Sequence, residues 1–309
     1  MTPAQLARVA MVLGALLLLW GAVSLTRRGS GGMSESDRFI LPPIVRDSTD
    51  SVIILRPADT TRLARRDSAA WTVNGHPVAK GAVAELFAAL GDSTRRTELV
   101  GARSASHAGF GVDSTEGVRI RIVRGDSTLA DLVQGNRDPA LDGGYFRAAA
   151  DSAVYLVGGS LAQVLEKSGD EWRDRQIAGV SPDSVARIEI TRGRRSYRLD
   201  RDGTGWKLTP GGPADSAAVA ELFGSYRQVD AAGFASQAQA DSANFARAER
   251  RAALLRADGS PLLALTFDST ANGFWVKAAG DSVVYRVDTW SADQLVPADS
   301  ALRGDGGDR

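Results

Sequence analysis

The sequence contains no cysteine and only two histidines, His76 and His107. Without cysteine the chain has no disulfide, no thiolate nucleophile, no cysteine zinc site and no lipid attached through an N-terminal cysteine. Both histidines stand in loop-like stretches, with no acidic or histidine partner at ligand spacing, so we predict no metal site. Thirty-seven basic residues balance thirty-seven acidic ones. A neutral chain has no long-range field to attract nucleic acid, and we predict no nucleic-acid partner.

The motifs of common enzymes and cofactor sites are also missing. No Gly-x-Ser-x-Gly elbow occurs, and the recurring Asp-Ser pairs favour turns and helix caps. Residues 158–160 lack the Lys-Ser/Thr ending of a phosphate-binding loop. Residues 200–205 begin like a calcium loop, but Gly211 stands where the glutamate is needed, which favours a hairpin turn. We therefore predict no catalytic, cofactor-binding or metal-binding residues, no cofactor and no enzymatic activity.

The longest apolar stretch begins at Val9 and ends at Leu25, and it contains no charge. Its length just suffices to cross a lipid bilayer as a helix, so we predict a retained membrane anchor. A cleaved signal peptide with its site near Ala22, and a buried helix of a soluble domain, are the alternatives. The amino terminus and Arg8 on one side of this stretch nearly balance Arg27 and Arg28 on the other. Charge alone therefore does not set the orientation of the anchor in the membrane.

A repeat is the strongest internal signal. The hexapeptide Ala-Val-Ala-Glu-Leu-Phe at residues 82–87 recurs at residues 218–223, and Trp71 has a counterpart in Trp206. Further matched pairs follow in the same order, which indicates one module used twice. We predict an anchor at residues 1–28, a linker at 29–50, repeats at 51–180 and 181–303, and a polar tail at 304–309.

The predicted fold class is α+β: an N-terminal transmembrane helix followed by two modules of antiparallel strands, each with an inserted amphipathic helix. Apolar residues at helical spacing mark each inserted helix, and Asp215 or Ser216 is placed to cap the second one. The aligned position in the first repeat is Ala79, so there the cap is missing or moved. Alternating apolar residues predict hairpins after each helix, the first from residues 118–124 to 129–133.

One basic cluster, Arg192-Gly193-Arg194-Arg195, is followed by Tyr197. Most such clusters are solvated faces, and contact with an acidic partner or with lipid headgroups is the alternative. The tryptophans and aromatic pairs recur at matched repeat positions, which favours core packing over ligand stacking.

Several short elements together resemble one bacterial family, known as domain of unknown function 4340. They are the apolar anchor, the Trp206 strand leading to Pro213-Ala214-Asp215, Phe-Gly-Val-Asp at residues 110–113, the Val-Tyr-x-Val strand ends at 154–157 and 284–287, and Trp-Arg-Asp-Arg at 172–175. The resemblance covers roughly residues 50 to 300. The chain departs from the family pattern at the first helix cap, and residues 245–248 stand where its glycine motif is expected.

This resemblance implies a single-pass location in the inner membrane, with the repeats facing the periplasm or the cell exterior. It also implies proximity to ABC transporter subunits, and it carries no catalytic residues. We therefore expect a non-enzymatic, membrane-anchored accessory or interaction module whose partners are the bilayer, through residues 9–25, and such a membrane protein. The alternative is a module that binds a small molecule or polysaccharide between the repeats, and a more remote one is a hydrolase built on His107 or His76.

Overall fold

The computed structural model describes residues 39, 41–42, 44–67, 70–138 and 142–303. The chain divides into two compact units, of which unit 1 ends at Arg173 and unit 2 begins at Asp174. The predicted anchor at residues 1–28, most of the predicted linker and the predicted tail at residues 304–309 lie outside the described residues.

Unit 1 contains one sheet of nine strands. Its strands are β1 (Ser51–Leu55), β2 (Thr60–Arg65), β3 (Trp71–Val73), β4 (His76–Pro77), β5 (Thr97–Gly101), β6 (Val118–Arg124), β7 (Ser127–Asp138), β8 (Gly143–Ala148) and β9 (Val154–Gly158). They are ordered β4-β3-β2-β1-β6-β7-β8-β9-β5, and every neighbouring pair is antiparallel. Side chains alternate between the two faces of a strand. Val52 and Ile54 of β1 therefore meet Ile122 and Ile120 of β6 on one fully buried face.

In the described part of unit 1, four α-helices accompany this sheet: α1 (Ala82–Gly91), α2 (His107–Phe110), α3 (Leu161–Glu166) and α4 (Gly169–Trp172). Helix α1 buries the predicted apolar stripe of Val83, Leu86, Phe87 and Leu90, which confirms this helix. The Phe87 ring lies 5.5 Å from the Trp71 ring of β3. Within the described chain no side chain caps the first turn of α1, in agreement with the missing cap at Ala79.

Unit 2 repeats the same sheet. Its strands are β10 (Gln176–Ala178), β11 (Arg187–Arg192), β12 (Arg195–Asp202), β13 (Gly205–Thr209), β14 (Gly212–Pro213), β15 (Val229–Asp230), β16 (Gly233–Phe234), β17 (Arg250–Leu255), β18 (Pro261–Thr270), β19 (Gly273–Ala278) and β20 (Tyr285–Val287). The nine-stranded sheet has the order β14-β13-β12-β11-β17-β18-β19-β20-β16, while β10 and β15 pair separately. Each strand of the large sheet thus occupies the place of its counterpart in unit 1.

Among residues 174–303 of unit 2 there are three α-helices: α5 (Ser216–Arg227), α6 (Gln237–Ser242) and α7 (Thr289–Leu295). Helix α5 buries Val219, Leu222, Phe223 and Tyr226, the predicted stripe. Its cap is also as predicted, because the Asp215 carboxylate accepts a hydrogen bond of 2.8 Å from the backbone N–H of Ala218. That bond satisfies one of the free amide groups at the start of the helix.

We expect Asp215→Ala to lower the free energy of unfolding of unit 2 by about 1 kcal/mol, because the capping bond is lost. Asp215→Asn is the matched control, since asparagine caps about as well as aspartate. Urea denaturation followed by circular dichroism measures both. Equal losses for the two variants would show that the carboxylate charge, rather than the cap, contributes the stability.

The predicted α+β class with an N-terminal transmembrane helix is wrong. The described residues are mostly antiparallel sheet, and their longest helix, α5, has 12 residues. A helix needs about 20 apolar residues to cross a bilayer. In the described ranges no helix is long and apolar enough to do so. The stretch from Val9 to Leu25 on which that prediction rested lies outside them. The helical periodicity of residues in α1 and α5 favours an α+β class, but each of these helices covers only part of the large sheet in its unit.

Candidate functional site

One difference between the two units lies where the inserted helix, α1 in unit 1 and α5 in unit 2, meets the last described residues of its unit. In unit 2 this place is a cavity of about 300 Å³. Its apolar wall consists of small or short side chains, Ala218, Leu222, Pro297, Ala298, Ala301 and Leu302. Its polar wall consists of Arg192, Glu221, Asp293 and Gln294.

Backbone hydrogen bonds identify the residues of unit 1 that correspond to the cavity wall of unit 2. The N–H of Ala79 donates to the carbonyl of Trp172 at 2.8 Å, and the N–H of Asp215 donates to the carbonyl of Leu302 at 3.0 Å. An isolated β-bridge follows each bond, at Arg173 in unit 1 and at Arg303 in unit 2. Leu302 therefore stands where unit 1 has Trp172, and Pro297, five residues earlier, stands where unit 1 has Lys167.

Large side chains fill this place in unit 1. Trp172 is fully buried, and the Lys167 ammonium lies 5.2 Å from the centre of its ring. The same ammonium forms an ion pair with Glu85 of α1. Proline and leucine at the two positions in unit 2 remove both the indole and the alkyl-ammonium chain. The cavity is the volume that these two differences leave open.

The charges beside the cavity are unequally paired. Asp293 of α7 binds two guanidinium groups, from Arg192 at 2.9 Å and from Arg250 at 2.6 Å. The Arg250 guanidinium also lies 4.3 Å over the Phe274 ring. Glu221, in contrast, is exposed and forms no ion pair within the part of the chain that the structure describes. Glu221 is therefore the acidic group of this site that has no ion-pair partner among the described residues, while two guanidinium groups share the one carboxylate of Asp293.

Buried hydroxyl groups fix the end of α7. Tyr197 donates to the carbonyl oxygen of Pro297 at 2.6 Å, and Tyr226 donates to the carbonyl oxygen of Leu295. Burial raises the pKa of both phenols. Both hydroxyls therefore keep their protons at neutral pH and remain donors, which holds the chain that borders the cavity in one position.

The outer face of α7 continues the site to the surface. Trp290 is 73 % exposed, and Asp293 and Gln294 follow it by three and four residues. Side chains at these spacings lie on one side of a helix. Trp290 therefore stands on the same side of α7 as two residues of the cavity wall. We call Trp290 together with this cavity the α7 site.

A larger depression of about 430 Å³ lies along residues 179–183 and Arg227. It is wide open to solvent, and Val180 and Pro182 are its apolar side chains. We regard the α7 site as the better candidate because it joins an apolar wall, oriented charges and an exposed tryptophan.

The residues singled out in the sequence have local structural partners. His107 Nε2 lies 2.9 Å from the backbone carbonyl oxygen of Ser152, while the hydroxyl of Ser152 donates to the carbonyl of Ala102. His76 lies in β4. No group of three or more histidine, aspartate or glutamate side chains in the described ranges is placed to hold a metal ion.

The calcium-loop resemblance and the basic cluster are both hairpins. Residues 200–205 form the end of β12, a two-residue turn and the start of β13, with Gly203 at a φ of 58° in the turn. The Asp200 carboxylate accepts a hydrogen bond of 2.6 Å from Arg187. The hairpin interpretation is therefore confirmed. The basic cluster forms the turn between β11 and β12. Arg192 binds Asp293, and Arg195 lies 3.6 Å from Asp299. Acidic residues of unit 2 itself therefore neutralise part of this cluster.

The family model described as Domain of unknown function (DUF4340) matches residues 71–245. The chain belongs to this family. The predicted resemblance is thus confirmed, although the family's description states no function. The DUF4340 match begins at Trp71 in unit 1 and ends at Phe245 in unit 2, so it includes Glu85, Trp172 and Glu221 but stops before α7. No curated protein and no solved structure matches the chain.

Proposed function

We propose that this DUF4340 chain is a non-enzymatic interaction module that binds a partner protein through the α7 site. The observation that carries the proposal is Trp290, which is 73 % exposed on the side of α7 that also carries Asp293 and Gln294 of the cavity wall. Tryptophan is enriched among the residues that dominate binding energy at protein interfaces. The Arg192–Asp293–Arg250 cluster and the two buried tyrosines hold the surrounding surface rigid, which lowers the entropy lost on binding.

A binding role is favoured over catalysis by the way the chain uses its histidine. A general base must reach the hydroxyl that it activates. The ring nitrogen of His107 instead lies against a backbone carbonyl, and the nearby Ser152 hydroxyl donates to another carbonyl. Both groups therefore tie loop segments together.

The partner that we propose is a membrane-protein subunit, such as one of an ABC transporter, because the family resemblance implies that neighbourhood. The location at the inner membrane with the units facing the periplasm stays a prediction. Protease accessibility of the two units in intact spheroplasts tests it: protection in spheroplasts and cleavage only after lysis would contradict it.

The full chain, purified as bait, should capture its partner from detergent-solubilised membranes, and Trp290→Ala should reduce that capture. Loss of a central tryptophan costs roughly 2 kcal/mol or more, which weakens binding by about 30-fold. Val45→Ala is the control, because Val45 in unit 1 is the other large apolar side chain exposed in the described chain, at 54 %. Recovery of the bait alone, or equal capture by both variants, would refute the proposed function.

A further inference from the structure

In unit 1 a lysine of the chain itself binds a glutamate of the inserted helix, and unit 2 has the glutamate without the lysine. In unit 1 the ammonium group of Lys167 reaches back to Glu85 of α1 and lies over Trp172. Glu221 occupies the same place in α5 as Glu85 in α1, within the repeated hexapeptide. Pro297 replaces the lysine. Unit 2 therefore keeps the carboxylate of this pair and lacks its cation.

The volume and the lining of the cavity suit one long aliphatic side chain. A volume of about 300 Å³ lies at the lower limit of small-molecule pockets, which run from about 300 to 1,000 Å³. Ala218, Ala298 and Ala301 form much of the wall. Lysine buries its alkyl stem against such apolar surface and keeps its ammonium at the polar edge.

The pairing of the charged groups leaves a carboxylate free to bind a cation. Arg192 and Asp293 line the cavity, but they bind each other, and Arg250 adds a second guanidinium to the same carboxylate. Arg192 also donates to the carbonyl of Val296 at 2.8 Å. Two arginines and one aspartate leave this cluster with a net charge of +1, but both guanidinium groups are already engaged with Asp293. Glu221 forms no ion pair within the described residues, so it is the group that can pair with an incoming ammonium and repel a carboxylate or phosphate.

We infer that the cavity of unit 2 binds the side chain of a lysine from the partner protein, with Glu221 as its counter-ion. The inference rests on the proposed function, and it names the chemistry by which the α7 site recognises its partner. Trp290 supplies apolar contact area at the surface, and Glu221 selects for the ammonium group. Unit 1, whose own Lys167 occupies the equivalent place, does not bind such a side chain.

The probe is lysine blocked at both ends, as the Nα-acetyl methylamide, titrated into the full chain and followed by NMR chemical shifts. We expect saturable binding with a millimolar Kd, with shifts at α5 and α7. Glu221→Gln should weaken it about tenfold, since a charge-assisted hydrogen bond is lost. Glu85→Gln is the matched control in unit 1 and should leave the Kd unchanged. Blocked norleucine and blocked Nε-acetyl-lysine, which lack the charge, should bind at least as weakly as lysine binds to Glu221→Gln.

A second variant tests the geometry. Pro297→Lys combined with Leu302→Trp restores the side chains of unit 1 and should abolish binding of the probe. Equal affinity for lysine and norleucine, an unchanged Kd in Glu221→Gln, or the absence of saturable shifts would each overturn the inference. Trp290→Ala should leave the Kd of the blocked lysine nearly unchanged. Failure of the proposed function is thus seen in the capture experiment alone, and failure of the lysine site is seen in this titration alone.

Discussion

Replacing Trp172 by alanine should lower the free energy of unfolding of unit 1 by about 3–5 kcal/mol, the range measured for large aromatic residues in protein cores. Trp172 is fully buried and ends helix α4. Its indole N–H donates to the carbonyl of Lys167 at 3.2 Å, and the Lys167 ammonium lies over the ring. Alanine would remove the packing, the hydrogen bond and the cation–π contact together.

The matched control is Trp290→Ala, which makes the same chemical change at an exposed position. Surface substitutions away from special contacts usually change stability by less than about 0.5 kcal/mol. Urea denaturation followed by far-ultraviolet circular dichroism compares the two. A loss in Trp172→Ala no larger than that in Trp290→Ala would show that the indole is not a core residue. The same control establishes that Trp290→Ala is folded when its binding is measured.

The sequence predicts local elements well because their causes are local. The spacing of Leu222 and Phe223 defines the apolar face of α5, and Asp215 caps it by a bond to a residue three positions away. The turn at Gly203 follows from the same kind of short-range chemistry. In these cases the interaction partners lie within a few residues, so periodicity and turn chemistry suffice.

The sheets cannot be predicted in this way because many of their strands pair with strands that are far away in the sequence. β1 pairs with β6, and β5, at residues 97–101, pairs with β9 at residues 154–158. Each strand read alone predicts only a hairpin with its nearest neighbour. Two hairpins and a helix then look like α+β, whereas the paired strands form one continuous sheet in each unit.

The α7 site could have been found only in part. Glu221 belongs to the repeated hexapeptide, but the repeat by itself indicates similarity rather than difference. The cavity depends on Pro297 and Leu302. Neither residue indicates a site by itself, and the difference between the units is seen only when they are aligned with Lys167 and Trp172. That alignment follows from the β-bridges and the carbonyl bonds that close each unit. Information of this kind lies in backbone geometry and not in composition.

Glycine to alanine at position 273 should destabilise unit 2 by about 2–5 kcal/mol, from overpacking and backbone strain together. Gly273 begins β19 with a φ of 137°, and a Cβ there would lie 2.4 Å from the carbonyl oxygen of Val287 in the neighbouring strand. Unit 1 has the same arrangement, because a Cβ on Gly143 would lie 2.4 Å from the carbonyl oxygen of Val157. Both units therefore need a glycine where these two strands meet.

The matched control is Gly224→Ala, for which we expect stability to rise rather than fall. Gly224 lies inside helix α5 with nothing within 4 Å of an added Cβ. Alanine there should stabilise unit 2 by about 0.5–1 kcal/mol, since it lowers the entropy of the unfolded chain and favours the helix. Denaturation midpoints of Gly273→Ala and Gly224→Ala should therefore move in opposite directions from that of the unchanged chain. A midpoint for Gly273→Ala that is unchanged or raised would mean that β19 and β20 do not approach as closely as described. Because α7 follows β20 directly, the frame that positions Trp290 and Asp293 would then be in doubt as well.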